Sequence, residues 1–263
     1  MDLGGLHILL VLFCGSLVGF SLGLLGGGGS ILAVPLMTYV VGVPSVHVAI
    51  GTSALAVALN AAVNLLIHAR AGTVRWGPVA TFSAAGVMGA AFGSSLSKTV
   101  DGQRLLAFFG LLMFLVAALM LARRSAGPDM AVRPARNDLP QLLLFGFGAG
   151  VLSGFFGIGG GFMIVPGLVL ATGMPMVNAV GSSLFAVAAF GATAAASYAF
   201  SGLVDWRLAS LFILGGVAGG AGGVALARYL GARRNALITV FAVVICIVGA
   251  YIEWRSLGAL MPK

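Results

Sequence analysis

Charged side chains are scarce in this 263-residue chain. Asp, Glu, Lys and Arg together supply 8% of its residues, whereas 60% are hydrophobic. A soluble domain cannot cover so much apolar surface, so the composition excludes a soluble fold and predicts a protein solvated by lipid. The acidic residues lie at the termini or between apolar runs; they are Asp2, Asp101, Asp129, Asp138, Asp205 and Glu253. Without a carboxylate inside a run, the sequence disfavours a cation carrier.

Cysteine and catalytic motifs are equally sparse. Cys14 and Cys246 both lie in apolar runs and form neither a disulfide framework nor a metal-ligand spacing. The chain contains no H-E-x-x-H, no G-x-S-x-G and no cluster of metal ligands. We therefore expect no metal, no cofactor and no catalytic residue. A membrane-embedded enzyme and a structural subunit that transports nothing are the alternatives to a transporter.

Basic residues outnumber acidic ones by 14 to 6 and cluster at the ends of the apolar runs. In a soluble protein this excess would suggest a nucleic-acid partner. Here it is typical of loops held on the cytoplasmic side by the positive-inside rule, and we expect no nucleic acid. The lipid bilayer is the expected environment, and a homo-oligomer is compatible with the sequence.

Eight apolar runs approach the roughly 20 residues needed to cross a bilayer as a helix. They are 6–25, 45–67, 77–97, 104–122, 139–157, 176–200, 206–227 and 235–252. Two shorter apolar pieces, 30–42 and 161–172, follow glycine-rich stretches. The sequence therefore predicts an all-α polytopic membrane protein. Its first run lacks a preceding basic region, which indicates a retained helix rather than a cleaved signal peptide.

The chain contains an internal duplication. Glycines and other residues of 15–44 recur 131 positions later, and those of 51–104 recur 130 positions later. We predict a first membrane repeat at 1–122, a polar cytoplasmic linker at 123–138 and a second membrane repeat at 139–263. Each repeat would hold about four transmembrane helices and one glycine-rich broken or re-entrant helix. The positive-inside rule gives nine basic residues against five for either path, so parallel and inverted repeats both stay open.

The stretch "GLLGGGGSILAVP" at 23–35 places four consecutive glycines inside an apolar run. Each costs about 1 kcal/mol in a helix interior. In lipid, irregular backbone survives only inside the protein or along a wet cavity, so two matched breaks indicate a binding site. A new helix start offers free N–H groups to an anion. The candidate backbone contacts are Gly26, Gly27, Gly28, Gly29 and Ser30, with Gly157, Gly159, Gly160 and Gly161 in the second repeat. The alternative role is close helix packing, which the GxxxG spacings elsewhere also favour.

Hydroxyl and amide side chains follow each break. Thr52, Ser53, Ser182 and Ser183 lie in early turns of the next helix, where they can donate to an anion or bond to a carbonyl one turn back. Asn60 is a further candidate for substrate binding, although a buried amide in lipid usually bonds to another helix. His47 is the candidate proton carrier because a histidine side chain can carry a proton near neutral pH. The alternative is that His47, near a helix start, simply faces the membrane interface.

The pattern resembles the TauE/SafE family of sulfite exporters over nearly the whole chain. The resemblance rests on "GLLGGGGSILAVPLM" with "GTSALAVALNAAVN", on "GFFGIGGGFMIVPGL" with "VGSSLFAVAAF", and on the pair "GTVRW" and "GLVDW". It implies a multi-pass permease of the bacterial inner membrane that exports a small anion such as sulfite, a sulfonate or a carboxylate. In the second copy Gly161 replaces Ser30 and Phe190 replaces Asn60, so polar contacts from Ser30 and Asn60 would be one-sided.

Overall fold

The computed structural model describes residues 5–125, 139–159, 161–229, 243 and 245–254, and this part of the chain contains helices and no strands. The α-helices are α1 (Gly5–Leu25), α2 (Ala33–Pro35), α3 (Val46–Arg70), α4 (Trp76–Ser97), α5 (Gly102–Ser125), α6 (Leu139–Phe156), α7 (Gly161–Thr172), α8 (Met176–Phe200), α9 (Trp206–Tyr229) and α10 (Ile245–Trp254). A 3₁₀-helix at Gly26–Leu32 precedes α2, and a π-helical turn at Leu36–Val40 follows it.

Within the described residues, six helices are long and apolar enough to cross a membrane: α1, α3, α4, α6, α8 and α9. The predicted run at 104–122 lies within α5, a helix of 24 residues. The run at 235–252 falls mostly outside the described residues, and α10 is its described part. Helix α7 has 12 residues, so it is about 18 Å long and falls short of a ~30 Å hydrocarbon core.

Two of the acidic residues between runs begin helices. A carboxylate oxygen of Asp101 accepts the backbone N–H of Gln103 at 3.0 Å at the start of α5. Asp205 does the same for Arg207 and Leu208 at the start of α9, each at 3.0 Å. These carboxylates satisfy N–H groups that have no partner within the helix, which explains why they stand where the apolar runs begin.

Bare glycine backbones join helices that are distant in the sequence. Three glycines of α1 pack on the backbone of α9, and the three glycines 131 positions later, in α6, pack on the backbone of α4. The pairs are Gly15 with Phe212, Gly19 with Gly216, Gly23 with Gly220, Gly146 with Phe82, Gly150 with Gly86 and Gly154 with Ala90. Residue numbers rise together along both interfaces, so α1 runs parallel to α9 and α6 runs parallel to α4.

Helices α3 and α8 pack against each other in the centre and run antiparallel. The hydroxyl of Thr52, near the start of α3, contacts the turn that follows α8 at Asp205. The hydroxyl of Ser182, near the start of α8, contacts the turn that follows α3 at Arg75. Because successive residues of α3 also pack along α9 in rising order, α3 runs parallel to α9 and to α1. The segment 26–45 between α1 and α3 therefore returns through the bundle in the opposite direction.

Candidate functional site

Both glycine stretches interrupt a helix. Helix α1 ends at Leu25, directly before the 3₁₀-helix Gly26–Leu32. Helix α6 ends at Phe156, and four residues separate it from the start of α7 at Gly161. Gly157 and Gly159 have φ angles of +66° and +69°. Residues with a side chain rarely adopt this left-handed conformation, so the glycines permit the chain path at the break.

The breaks lie against the two central helices. A β-carbon on Gly26 would lie 2.8 Å from Cγ1 of Val180 and 3.5 Å from the hydroxyl oxygen of Ser183 in α8. A β-carbon on Gly157 would meet Ile50 of α3, with the carbonyl oxygen of Ile50 at 2.8 Å. Ile50 and Val180 are 130 positions apart, so the two breaks contact matching turns of the two helices.

Gly159 lies where α3 and α8 meet. A β-carbon on Gly159 would lie 3.0 Å from Cγ1 of Val57 and 2.8 Å from Cγ1 of Val187. Each valine is the twelfth residue of a 25-residue helix. Since both helices are long enough to span a membrane, the second break reaches the middle of the bundle. The 3₁₀-helix Gly26–Leu32 also contacts α7, the helix that follows the second break.

Ser53 and Ser183 are fully buried beside the breaks and bond to their own helices. Ser53 donates to the carbonyl of Ile50 at 3.0 Å, and Ser183 donates to the carbonyl of Val180 at 2.8 Å. Both bonds span three residues, which is an ordinary partner for a hydroxyl in a helix. Donation to an anion from either serine therefore requires its hydroxyl to turn away from this carbonyl.

Thr52 and Ser182 connect the two predicted repeats. Thr52 accepts the backbone N–H of Asp205 at 3.0 Å, and Ser182 accepts the backbone N–H of Arg75 at 2.8 Å. These two N–H donors are not among the residues predicted from the sequence, although the paired "GTVRW" and "GLVDW" contain them. The hydroxyl of Thr52 thus fixes the start of α9 against α3, and that of Ser182 fixes the start of α4 against α8.

The remaining candidates lie at different places in the fold. Ser30 is buried within the 3₁₀-helix, and Gly29 packs on the backbone of Ser21 in α1. Asn60 packs against Gly216 of α9. Gly27 and Gly28 belong to the 3₁₀-helix and Gly161 begins α7, but their surroundings are outside the described set, as is Gly160 altogether. The binding roles of all these residues stay predictions.

His47 lies at one end of the bundle. Its Nε2 is 3.3 Å from the carbonyl oxygen of Ser97 at the end of α4, beside the start of α5. A polar cluster that the sequence does not predict lies at the same end, where Tyr198 donates to the hydroxyl of Ser97 at 2.7 Å. Lys98 donates to the carbonyl and hydroxyl of Ser197 and to the hydroxyl of Ser201, at 3.0–3.2 Å.

Among the described residues, the polar side chains that are buried in the bundle are all neutral. The buried polar residues in the described part of the chain are Ser21, Ser30, Thr52, Ser53, Asn60, Asn64, Ser83, Ser94, Ser97, Ser153, Thr172, Ser182 and Ser183. Hydroxyl, amide and free backbone N–H groups can all donate hydrogen bonds to an anion without themselves carrying charge. The described interior therefore has donors for an anion but no acidic side chain for a cation.

The fold combines apolar helices long enough to span a bilayer with broken helices between them at the centre. This combination is typical of multi-pass membrane transporters. Residues 11–252 match the model of the family described as Sulfite exporter TauE/SafE. The chain belongs to the TauE/SafE family and is a multi-pass membrane transporter.

Relatives of known sequence carry the same general description. A probable membrane transporter protein of Xylella fastidiosa (strain Temecula1) is 49% identical over 252 residues, which cover 94% of this chain and 95% of the relative. The probable membrane transporter protein YunE of Bacillus subtilis is 26% identical, with 89% and 93% covered. The probable membrane transporter protein MJ0441 of Methanocaldococcus jannaschii is 32% identical, with 64% and 65% covered. No solved structure matches the chain.

Proposed function

We propose that the protein exports a small oxygen-bearing anion, such as sulfite, a sulfonate or a carboxylate, across the bacterial inner membrane. The observation that carries this proposal is the position of Gly159, between the midpoints of α3 and α8. There the backbone itself is the polar surface, because a glycine adds no side chain. A membrane potential that is negative inside favours outward movement of an anion by about 2.3 kcal/mol per charge per 100 mV.

The start of α7 supports an anion at this place. Its first N–H groups have no partner within the helix, and its dipole places about half a positive charge at Gly161. The neighbouring 3₁₀-helix and the buried hydroxyls of Ser53 and Ser183 offer further polar groups. The family and the names of the relatives favour transport over the enzymatic and structural alternatives.

Flux into proteoliposomes tests this function. Purified protein should accelerate the movement of at least one of sulfite, sulfoacetate, thiosulfate and acetate, compared with protein-free liposomes. The movement of Na⁺ and K⁺ should stay at the protein-free level, since the described interior holds no acidic side chain. Cation flux, or no flux of any anion in the panel, would remove the basis of the proposal.

We further propose that the repeats are inverted and that the chain crosses the membrane ten times. The antiparallel α3 and α8 occupy matching places in the two repeats, and the segment 26–45 runs opposite to α1 and α3. Five crossings per repeat follow if 26–45 and 157–175 each count as one. This path places nine basic residues, including Arg70 and Arg75, on the cytoplasmic side.

Ala71 and Ser201 discriminate between the two topologies. Both are exposed, they are 130 positions apart, and each lies in the turn after a central helix. In a chain with Cys14 and Cys246 replaced by serine, an impermeant maleimide applied to intact cells should label Ser201→Cys and spare Ala71→Cys. Four crossings per repeat would instead place both turns on the same side. Equal labelling of the two variants contradicts the inverted arrangement.

A further inference from the structure

Asn60 is a buried amide whose polar atoms both lack a partner. Its side chain is 1% exposed, and neither Nδ2 nor Oδ1 has a hydrogen-bond partner among the described residues. The neighbouring amide differs, because Nδ2 of Asn64 donates to the backbone carbonyl of Asn60 at 3.0 Å. An unsatisfied buried amide is costly, and native proteins rarely retain one without a reason. Exchanging the nitrogen and oxygen of Asn60 would not change this observation, because both atoms are unpartnered.

The matching place in the second repeat is apolar. Phe190 lies 130 positions after Asn60 and packs against Gly86, just as Asn60 packs against Gly216, 130 positions after Gly86. The Phe190 ring stacks on that of Phe82, with ring centroids 6.2 Å apart. Gly86 leaves room for the larger side chain of Phe190, and Gly216 leaves room for that of Asn60. The fold therefore needs a side chain that fills space at this position, but it does not need an amide.

Asn60 lies one helical turn from the glycine break. Val57, three residues earlier on α3, lies 3.0 Å from the position that a β-carbon on Gly159 would take. Residues three apart lie on the same face of a helix, so the amide and the valine share one face. Ser53, a further turn away, also lies on that face.

We propose that Asn60 hydrogen-bonds the transported anion directly, and that this anion carries an O–H group as well as an oxyanion. This inference rests on the proposed function. The amide offers one donor group and one acceptor, so a substrate that satisfies both needs an acceptor and a donor of its own. The described interior holds no buried charged side chain, and the cost of transferring an ion from water rises steeply with its charge. A protonated monoanion meets both conditions. Its site lies beside Asn60, where α3 meets α9, because Phe190 fills the matching position where α8 meets α4.

Methylphosphonate and methanesulfonate provide a matched pair of probes. Below the second pKa of methylphosphonate both are monoanions of similar shape, and only methylphosphonate carries an O–H. Calorimetric titration of the purified protein should give at least about 10-fold tighter binding of methylphosphonate, because a site built to bond a hydroxyl rejects an analogue without one. Asn60→Leu, which is close in shape, should reduce this ratio to about one. Asn64→Leu, the control on the same helix face, should keep it.

The ratio of affinities separates recognition from folding, because a loss of folded protein lowers the binding capacity for both anions alike. A wild-type ratio of one, or a ratio that Asn60→Leu leaves unchanged, would overturn the role of Asn60 while anion transport stands. Wild-type protein that binds neither these probes nor sulfite would overturn the proposed function and this inference with it.

Discussion

Replacement of Gly159 by alanine is expected to abolish anion flux. The β-carbon would lie 2.8 Å from Cγ1 of Val187 and 3.0 Å from Cγ1 of Val57, in the place where we propose that the anion meets the backbone. Each hydrogen bond to a charged ligand is worth about 1.5–3 kcal/mol, so the loss of two weakens binding by a factor of more than about 100. Flux and calorimetric binding should both be measured on monodisperse protein.

Gly202→Ala is the matched control for backbone strain. Gly202 and Gly159 have the same φ of +69°, but a β-carbon on Gly202 would have nothing within 4 Å. The left-handed conformation costs alanine about 1–2 kcal/mol at either position. Gly202→Ala should therefore lose stability and keep its flux. Gly28 lies 131 positions before Gly159, at the matching position of the predicted first repeat, and Gly28→Ala should behave as Gly159→Ala does. Normal anion binding by folded Gly159→Ala and Gly28→Ala would refute a backbone site.

The sequence predicts the helices well because their limits depend on local chemistry. The short apolar piece predicted at 161–172 has the same first and last residues as α7, and the run predicted at 176–200 has the same bounds as α8. The runs at 77–97 and 206–227 differ from α4 and α9 by one or two residues. Apolar runs end where polar residues such as Asp101 and Asp205 stand, and those residues also cap the next helix. A single chemical pattern therefore marks both the span and its boundary.

The arrangement of the site depends on tertiary contacts that the sequence does not encode locally. Thr52 and Ser53 are adjacent, yet they point about 100° apart on α3, so one bonds to Asp205 and the other to its own helix. The positive-inside rule does not determine the direction of 26–45. Whether or not this segment crosses the membrane, nine basic residues lie on one side and five on the other. The helices adjacent in space are also distant in the chain, since α1 packs on α9 and α4 on α6.

The glycine interfaces predict a second large effect, on stability rather than transport. A β-carbon on Gly150 would collide with the backbone of Gly86, and one on Gly19 with the backbone of Gly216. Backbone atoms cannot rotate away as a side chain can, so each alanine must separate two helices. Overpacking costs about 1–3 kcal/mol per site. The two sites belong to different helix pairs, so the effects of Gly19→Ala and Gly150→Ala should add in the double variant. Thermal unfolding in detergent measures them.

Gly148→Ala is the control for this last prediction, because Gly148 lies on α6 only two residues before Gly150. A β-carbon there would have nothing within 4 Å, so the alanine meets no neighbour. Alanine is also favoured over glycine in a helix by about 1 kcal/mol. Gly148→Ala should thus unfold at the wild-type temperature or above it, whereas Gly150→Ala should unfold well below. If Gly150→Ala is as stable as Gly148→Ala, then α4 and α6 do not pack backbone to backbone, and their pairing across the two predicted repeats is wrong.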